Sequence, residues 1–567
     1  MRGNEIGTII PMRTISIPRF LIVIPPLVFL AIFYFYPLIR IFLLSFMPEG
    51  TWDMGKLHKL VQTGYYAKTL WFTTWQAALS TLLTLMLALP GAYVFARYRF
   101  PGKNLIQAFT TVPFVLPTVV VAAAFRAFLG PHGLLNSWLM HGLNLASPPI
   151  QINHSVGFIL MAHVFYNYTV ALRIIGGFWS HLEPRIEEAA RMLGASPWQV
   201  FWKITLPLLR PAIFAAALLI FIFCFSSFGV VLILGGPRFA TIEVEIYRQA
   251  VNLFNLPMAA ALSLVQILFT FLLMWVYTRM QRRSGVALTP EPLARTRRSA
   301  ISLKDRIFLG ANISFVLLFL GGPLLALILR SVSTEHGLSL NFYKALFENK
   351  SQSVFFIPPI DAVSHSVGFA CVTMAMALVL GTLAATFLSG RESRVTALLD
   401  PIFMLPLSTS AVTLGFGFII ALDKPPLNLR TSLMLIPLAH TLVAFPFVVR
   451  SLLPALRSIP PSLREAATLL GASPWQVWKA VDLPIVGRAL LVGAVFAFTV
   501  SLGEFGATVF VARPQMPTMP LAIYRFLGQP GSLNYGQAMA MSSLLMLVTA
   551  AGFMFLEKIR IGQGGEF

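Results

Sequence analysis

The sequence predicts an all-α membrane protein whose twelve transmembrane helices form two homologous six-helix halves. Of its 567 residues, 57% are hydrophobic and 11% are charged, and the mean hydropathy is +0.77. A soluble protein cannot bury that much apolar surface, so lipid must solvate most of the chain. Apolar runs of about 20 residues predict spanning helices, whereas a barrel would show short alternating segments. The third observation is that one polar segment occurs twice, 277 residues apart.

Twelve apolar runs are long enough to be spans. In the N-terminal half, residues 1–280, they cover approximately 20–46, 70–96, 105–128, 155–178, 212–234 and 258–279. In the C-terminal half, residues 307–567, they cover approximately 307–330, 363–389, 400–422, 431–453, 489–511 and 536–556. Residues 281–306 are polar and basic and carry two prolines, which indicates a linker between the halves. Each run is predicted to be helical, because a helix satisfies its own backbone hydrogen bonds inside lipid.

The net charge of +21 fits the loops of such a protein. In a soluble protein it would suggest a nucleic-acid partner. Here, with the N-terminus inside, about 26 Lys and Arg fall in cytoplasmic loops and about 11 in external ones. The sequence therefore predicts cytoplasmic N- and C-termini, a cytoplasmic linker, the lipid bilayer as surroundings and no nucleic-acid partner.

The repeated segment reads EAARMLGASPWQV from Glu188 and EAATLLGASPWQV from Glu465. At the same offset, Phe228-Gly229 matches Phe505-Gly506. Six predicted spans separate the copies, so both copies lie on the cytoplasmic face, within loops 181–210 and 457–488. Two halves with the same orientation predict a relating axis along the membrane normal.

Each copy is predicted to be a helix, a glycine elbow and a second helix. Glu183-Pro184 opens the first helix, Gly194 ends it in a left-handed conformation, and Ser196 caps the next helix with Gln199 in the capping box. The corresponding residues of the second copy are Gly471, Ser473 and Gln476. The second helices are predicted to end at Pro207 and Pro484.

Apolar residues beside both elbows are predicted to be exposed, namely Met192, Leu193, Leu469 and Leu470. An exposed apolar patch marks a contact with a partner. A loop that merely packs against its own bundle is the alternative. Two copies at corresponding positions on one face favour docking to a two-fold partner.

The spacing of E-A-A, three residues, G, nine residues and I-x-L-P resembles the signature of binding-protein-dependent ABC importer permeases. The residues that carry it are Glu188, Ala189, Ala190 and Gly194 in the first copy and Glu465, Ala466, Ala467 and Gly471 in the second. The first copy fits throughout, whereas the second has Val481 where the pattern has Ile. Together with the duplication, the resemblance covers nearly the whole chain.

This resemblance implies the fold of a type I ABC importer permease, in the fused form with both halves on one chain. In that family the loop is the coupling helix, which sits in a cleft on a cytoplasmic ATPase. The implied partners are two copies of that ATPase and an extracytoplasmic solute-binding protein, and the implied location is the bacterial inner membrane. The separate subunits would hydrolyse ATP, so the chain itself is not expected to be an enzyme.

Longer segments resemble a narrower group. MAHVFYN from Met161, SSFGVVLILGGPRFATIEVEIYRQA from Ser226 and SLGEFGAT from Ser501 are similar to fused twelve-span permeases for thiamine and for ferric iron. The run GGP followed by TIE and IY is similar to the thiamine permeases in particular, which favours thiamine. GEFGAT also occurs in oxyanion permeases, so the substrate stays open, with ferric iron as the alternative.

Motifs for catalysis are missing from the sequence. No G-x-x-x-x-G-K-[ST], H-E-x-x-H or G-x-S-x-G run and no Cys/His cluster occurs, so no catalytic residue, metal site or cofactor is predicted. Energy must come from another polypeptide or from an ion gradient. An ion-gradient secondary transporter built from parallel repeats is therefore the alternative class, but it leaves the duplicated elbows unexplained.

Charged residues inside spans are costly and therefore informative. Glu504 and its duplicate Ser227 are predicted to line the translocation pathway, and Glu504 is predicted to attract a cationic substrate such as thiamine. A salt-bridged or hydrogen-bonded structural acid is the open alternative. Phe228 and Phe505, beside the repeated glycines, are the aromatic candidates for the same pathway.

Overall fold

The computed structural model describes residues 19–561, apart from residues 49, 153, 284–297, 300–301, 335–336, 349–356, 391–392, 424 and 426. Most of the predicted linker 281–306 and the two chain ends therefore lie outside the described residues. The described strands are short. β1 (Tyr98–Arg99) pairs in parallel with β2 (Arg298–Ser299), and β3 (Ser333–Thr334) pairs antiparallel with β4 (Gly337–Leu338).

Helices make up nearly all of the regular structure of the N-terminal half. They are α1 (Arg19–Leu30), α2 (Tyr36–Phe46), α3 (Gly55–Gln62), α4 (Gly64–Arg97), α5 (Lys103–Val115), α6 (Thr118–Leu129), α7 (Leu134–Leu143), α8 (Val156–Ser180), α9 (Pro184–Met192), α10 (Pro197–Val200), α11 (Leu206–Phe225), α12 (Ile242–Tyr247) and α13 (Leu256–Arg283). Wider, π-helical turns occur at Ala31–Phe35, Phe201–Thr205, Val231–Gly235 and Arg248–Asn252. A tighter 3-10 turn occurs at Gly236–Arg238.

The C-terminal half follows the same order. Its helices are α14 (Leu303–Val332), α15 (Asn341–Lys344), α16 (Asp361–Leu388), α17 (Arg394–Met404), α18 (Ala411–Ala421), α19 (Leu435–Arg457), α20 (Pro461–Leu469), α21 (Pro474–Val477), α22 (Leu483–Gly503), α23 (Thr508–Val511), α24 (Met519–Leu527) and α25 (Ser532–Ile561). A 3-10 turn occupies Leu405–Ser408 and a π-helical turn occupies Trp478–Asp482.

Eleven helices within the described residues are long and apolar enough to cross a membrane. They are Leu21–Phe46, Gly64–Arg97, Thr118–Leu143, Val156–Ser180, Pro197–Phe225, Leu256–Met280, Leu303–Val332, Asp361–Leu388, Leu435–Arg457, Trp475–Gly503 and Ser532–Phe555. A further pair, Arg394–Ser408 with Ala411–Ala421, meets the same test but is bent by 94° at its break. Counted as one span, that pair brings the number to twelve. The predicted all-α membrane fold is confirmed.

The third predicted span of each half is not one continuous helix, which corrects the ranges 105–128 and 400–422. The first consists of α5 and α6, interrupted at Leu116-Pro117, where Leu116 is extended at ψ 141°. Proline has no N–H for the helical ladder and disfavours a helical residue before it. The second consists of α17 and α18, interrupted at Thr409-Ser410, and the Ser410 side chain caps α18 by accepting the N–H of Val412 at 3.1 Å.

The fifth spans begin earlier than the predicted ranges 212–234 and 489–511. They are observed at Pro197–Phe225 and Trp475–Gly503. The second helix of each polar loop therefore continues into the membrane instead of ending at Pro207 or Pro484 as predicted. A π-helical turn comes directly before the segment that carries each proline, and the proline lies in the first turn of that segment. Its missing N–H costs least at that position.

Three mutually packed helices form the core of each half. They are α4, α8 and α11 in the N-terminal half and α16, α19 and α22 in the C-terminal half. These are the second, fourth and fifth spans. Small residues allow the close approach, as is usual where lipid provides no hydrophobic drive between helices. A Cβ added at Gly91 would collide with the Tyr168 hydroxyl, and one at Gly381 would collide with Val448.

The first span of each half crosses over to pack on the other half. In the N-terminal half, α1 packs on α16 and α2 packs on α18, while α14 of the C-terminal half packs on α6. The hydroxyl of Tyr34 forms a hydrogen bond of 2.7 Å with that of Thr409, at the break between α17 and α18. This reciprocal exchange interlocks the halves, as expected of two copies related by a pseudo-two-fold axis.

Candidate functional site

The polar loops 181–210 and 457–488, called here the first and second elbow loops, each contain a helix, a glycine turn and a second helix. In the first, α9 begins after Glu183 and is followed by Gly194 at φ +87°. In the second, α20 is followed by Gly471 at φ +84°. Such left-handed conformations favour glycine because it has no Cβ. The predicted glycine elbows are confirmed.

Both second helices begin with a capping box. The Ser196 N–H donates to the Gln199 side-chain oxygen at 2.9 Å, and the Gln199 N–H donates to the Ser196 hydroxyl at 3.3 Å. The same pair of bonds joins Ser473 and Gln476, at 2.8 and 3.3 Å. Each box satisfies two N–H groups that a helix start would otherwise leave unpaired. The elbow is therefore held in both halves by hydrogen bonds between residues close in sequence.

Large apolar side chains are exposed beside each elbow, as predicted. The exposed fractions are 89% for Met192, 90% for Leu193, 88% for Leu469 and 89% for Leu470. Within the repeated E-A-A and Gly positions, Glu188, Ala189, Gly194, Glu465, Ala466 and Gly471 are exposed, and Ala190 and Ala467 are half-buried. Paired apolar patches of this kind are typical of a protein–protein contact.

The two elbow loops lie on the same side of the bundle. Among the described residues, six membrane-crossing elements separate Gly194 from Gly471 when the bent pair is counted as one span. An even number of crossings returns the chain to the side that it left. A two-fold partner on that side would meet one elbow loop from each half.

A polar contact ties each elbow helix to the start of the fifth span. In the first elbow loop, Glu187 accepts a hydrogen bond from the Thr205 hydroxyl at 3.1 Å and forms an ion pair of 3.3 Å with the buried Arg97. In the second, Arg464 forms an ion pair of 2.8 Å with Asp482. Positions 187 and 464 are duplicates, and so are positions 205 and 482. We call this contact the elbow strut.

Phe228 and Phe505 meet between the two halves. Their ring centroids are 5.6 Å apart and their planes are 25° from parallel. A residue touches its own duplicate only near the axis that relates the two copies, so this stack marks the pseudo-two-fold axis. Tyr247 packs against Phe228 and its duplicate Tyr524 packs against Phe505. The two aromatic candidates are therefore brought together at the centre of the bundle, where their rings fill the space between the halves.

The carboxylate of Glu504 is buried and fully engaged within its own half. It accepts the N–H groups of Ala507 and Thr508, each at 2.9 Å, and the Thr508 hydroxyl at 2.7 Å. The imidazole of His440 lies 3.5 Å from the same carboxylate. These contacts are those of the structural acid that the sequence left open, because they cap the short helix α23. A role for Glu504 in the pathway stays a prediction.

The duplicate residue Ser227 lies in a matching polar cluster. Its hydroxyl is 2.8 Å from Nε2 of His163, whose Nδ1 is 2.9 Å from the Ser80 hydroxyl. Both repeated histidines are therefore hydrogen-bonded inside their own halves. Ser227 and Glu504 lie directly before Phe228 and Phe505, so the same turn places a polar residue and an aromatic residue beside the axis in each half.

Sequence reasoning missed two buried acids in α12. The side chains of Glu243 and Glu245 are 0% and 1% exposed. Glu243 accepts hydrogen bonds from the Gln266 amide at 2.9 Å and from the Ser410 hydroxyl of the C-terminal half at 2.6 Å. The signal was available in the sequence, because both acids stand in an apolar stretch where ionisable residues are costly.

Glu245 has a complete set of partners within the N-terminal half. It accepts hydrogen bonds of 2.8 Å from the Tyr65 hydroxyl and from the Gln249 amide, and it forms an ion pair of 3.4 Å with Arg248. Across the described residues, no three His, Cys, Asp or Glu side chains are grouped so that they could hold a metal ion.

Two like halves of membrane-spanning helices, a contact between duplicates on their common axis and a pair of exposed elbows on one face are the features expected of a transport permease. The chain belongs to the family of binding-protein-dependent transport system inner membrane components, which it matches over residues 80–286 and 377–559. One matched segment covers most of the N-terminal half and extends to residue 286 of the linker, and the other lies in the C-terminal half. The chain is therefore the permease component of an ABC importer, with both halves fused.

Curated relatives align along most of the chain. The thiamine transport system permease protein ThiP of Brucella abortus (strain 2308) is 26% identical over 499 residues, which are 88% of this chain and 88% of that protein. ThiP of Escherichia coli (strain K12) is 27% identical over 503 residues, which are 88% of this chain and 90% of that protein. Among solved structures, a chain of a bacterial alginate ABC transporter in complex with alginate pentasaccharide-bound periplasmic protein is 18% identical, with a TM-score of 0.40, and the match covers 47% of this chain and 93% of that chain.

Proposed function

We propose that this chain forms the translocation pathway of an ATP-driven importer for thiamine. The names of the relatives that align over 88% of the chain support thiamine as the substrate. The segment around Gly236 and Glu243, which resembles the thiamine permeases, lies next to the axial aromatic stack through Tyr247. Ferric iron is the alternative substrate of the same family resemblance.

The elbow loops bind two copies of a cytoplasmic ATPase in this proposal. The single observation that carries it is the pair of matched elbows, each with exposed apolar residues and each on the same side of the bundle. The contact residues are Glu188, Ala189, Ala190 and Gly194 in the first elbow loop and Glu465, Ala466, Ala467 and Gly471 in the second. The side of the elbows is then the cytoplasm, and the N- and C-termini and the linker lie on it.

An extracytoplasmic solute-binding protein delivers the substrate to the opposite face. ATP-driven closure of the two ATPases draws the elbow loops together, and the elbow struts pass this movement to the fifth spans. Phe228 and Phe505 follow the ends of those spans, so movement of the spans separates or joins the axial stack. The permease thereby alternates between access to one side and access to the other.

Uptake by vesicles that carry the permease, its ATPase and its binding protein tests this function. We expect ATP-dependent accumulation of labelled thiamine, no accumulation of ferric iron, and one permease chain per two ATPase chains in the purified complex. Accumulation of ferric iron instead of thiamine would contradict the substrate. Uptake that survives ATP depletion and collapses with an ionophore would favour an ion-gradient transporter and contradict the energy source.

A further inference from the structure

Three acids are buried among the described residues, and their partners differ in kind. Glu245 is paired with Arg248, and Glu504 accepts two backbone N–H groups. Glu243 has only neutral partners, the Gln266 amide and the Ser410 hydroxyl, and it forms no ion pair within the described part of the chain. A carboxylate held by neutral groups in an apolar surrounding is the least compensated of the three.

The hydrogen bond between Glu243 and Ser410 crosses the boundary between the halves. Glu243 lies in α12 of the N-terminal half, and Ser410 caps α18 of the C-terminal half at the bent break. The two helices pack against each other at this boundary. Any movement that separates the halves here breaks the bond of 2.6 Å. The carboxyl group of Glu243 then loses one of its two partners.

The partners of Glu243 determine what kind of group could replace Ser410 at this boundary. A carboxyl group with neutral partners in a weakly polar setting favours its protonated form, and a nearby positive group stabilises the charged form instead. The feature is asymmetric, because the duplicate position of Glu243 is Pro520. A pathway on the axis thus carries one such carboxylate.

An aromatic residue follows Glu243 one helical turn later. Glu243 and Tyr247 are four residues apart in α12 and share one face of the helix. The Tyr247 ring is 5.6 Å from that of Phe228 and 5.7 Å from that of Phe510 of the C-terminal half, measured between centroids. Aromatic faces attract cations and stack on flat rings. A carboxylate beside aromatic rings suits an organic cation that itself carries a ring.

We propose that Glu243 binds the positive group of the transported solute as the solute passes between the halves, and that the solute is a ring-bearing organic cation. Thiamine, with its thiazolium ring, belongs to this class, so the inference rests on the proposed function and adds a residue to it. Glu243, rather than the locally capped Glu504, is the acid that the moving boundary uncovers.

The test measures labelled thiamine imported per ATP hydrolysed by the complete complex in vesicles. Glu243→Gln keeps the shape of the side chain and removes its charge, and Glu243→Asp keeps the charge. Glu245→Gln is the matched variant on the same helix. We expect Glu243→Gln to lower the ratio about 10-fold, as for loss of one close charge pair. We expect Glu243→Asp to lower it by less than about 3-fold and Glu245→Gln to leave the ratio near that of the unaltered complex.

Two results would overturn the role of Glu243 and leave the proposed function standing, provided that the unaltered complex imports thiamine. One is an unchanged ratio in Glu243→Gln, and the other is an equal loss in Glu243→Gln and Glu243→Asp. The latter result would assign the effect to packing. An unaltered complex that assembles and hydrolyses ATP but imports no thiamine would overturn the proposed substrate and the inference with it. Assembly is measured separately, from the amount of ATPase that copurifies with each variant.

Discussion

The two elbow loops have the same backbone conformation but differ in the side chains that connect them to the fifth spans. The glycine conformations agree within a few degrees, at φ +87° and +84°, and the capping boxes agree in their distances. The elbow strut, however, is Glu187 with Thr205 and Arg97 in the first loop and Arg464 with Asp482 in the second. The acidic residue of the strut lies on the elbow helix in the first loop and at the start of the fifth span in the second loop.

This difference shows which feature of the duplicated loop is kept and which is changed: both loops have the strut contact, but different side chains form it. At the two strut positions the residues differ in charge and size, yet the contact between the elbow helix and the start of the fifth span is present in both halves. The two halves therefore keep the position of this contact and differ in the residues that form it. In the proposed importer that geometry sets how movement of the elbow reaches the span.

Replacing both elbow glycines disturbs the left-handed turn that the two loops have in common. We expect it to have the largest effect on import. In Gly194→Val with Gly471→Val, a β-branched residue must adopt a left-handed conformation, at a cost of at least about 1–2 kcal/mol at each position. Among the described residues, and leaving aside the glycine and its two chain neighbours, no heavy atom lies within 4 Å of a Cβ added at either glycine, so backbone strain is the cause and not crowding. We expect import to fall to background and copurification of the ATPase to be lost.

The control for this pair is Gly310→Ala in α14, where an added Cβ also meets no atom within 4 Å and the backbone is helical. We expect it to leave import unchanged. Undiminished import by the doubly substituted permease would contradict a mechanical role for both elbows.

Sequence patterns predicted the features that arise within a few residues of each other. Gly194, Gly471 and the Ser-Pro-x-Gln caps are local, and they were found where predicted. The twelve spans followed from apolar run length. The breaks at Leu116-Pro117 and Thr409-Ser410 did not, because a broken span keeps the apolar composition of a continuous one.

Glu187→Ala removes the strut of the first elbow loop. It leaves Arg97, which is 4% exposed, without an acidic partner, although the Leu182 carbonyl still accepts from its guanidinium at 2.9 Å. Losing a hydrogen bond to a buried charged group costs about 2 kcal/mol. We expect a lower unfolding temperature of the purified permease and a smaller amount of thiamine imported per ATP. An unchanged ratio together with an unchanged unfolding temperature would contradict the strut.

Breaking the strut of the second loop has a smaller expected effect. Arg464 is 36% exposed and Asp482 is 14% exposed, so solvent screens their ion pair and it contributes only about 1 kcal/mol. We expect Arg464→Asp to lower import per ATP and Arg464→Asp with Asp482→Arg to restore most of it. A double-mutant cycle measures the coupling between the two positions. Failure of the exchanged pair to exceed either single variant would show that the positions act independently.

The strut and Glu243 escaped sequence reasoning for a common reason. Thr205 is 18 residues from Glu187, and Ser410 is 167 residues from Glu243. Which distant groups meet is decided by packing of the spans, and packing in lipid leaves little pattern in a single sequence. The duplication supplied the one long-range correspondence, that position 228 matches position 505, and the structure then showed that these two rings are in contact.

The capping boxes provide the finest comparison, because here the two loops are expected to behave alike. Ser196→Ala and Ser473→Ala each remove a cap worth about 1 kcal/mol. We expect hydrogen exchange of the amides at the starts of α10 and α21 to accelerate about 5-fold in both variants, with import reduced only slightly. Ser458→Ala is the control, since that exposed hydroxyl donates to the Ala455 carbonyl and caps no helix start. Acceleration in one loop but not in the other would mean that the halves differ at the elbow itself, and the strut could then no longer be regarded as the point where they diverge.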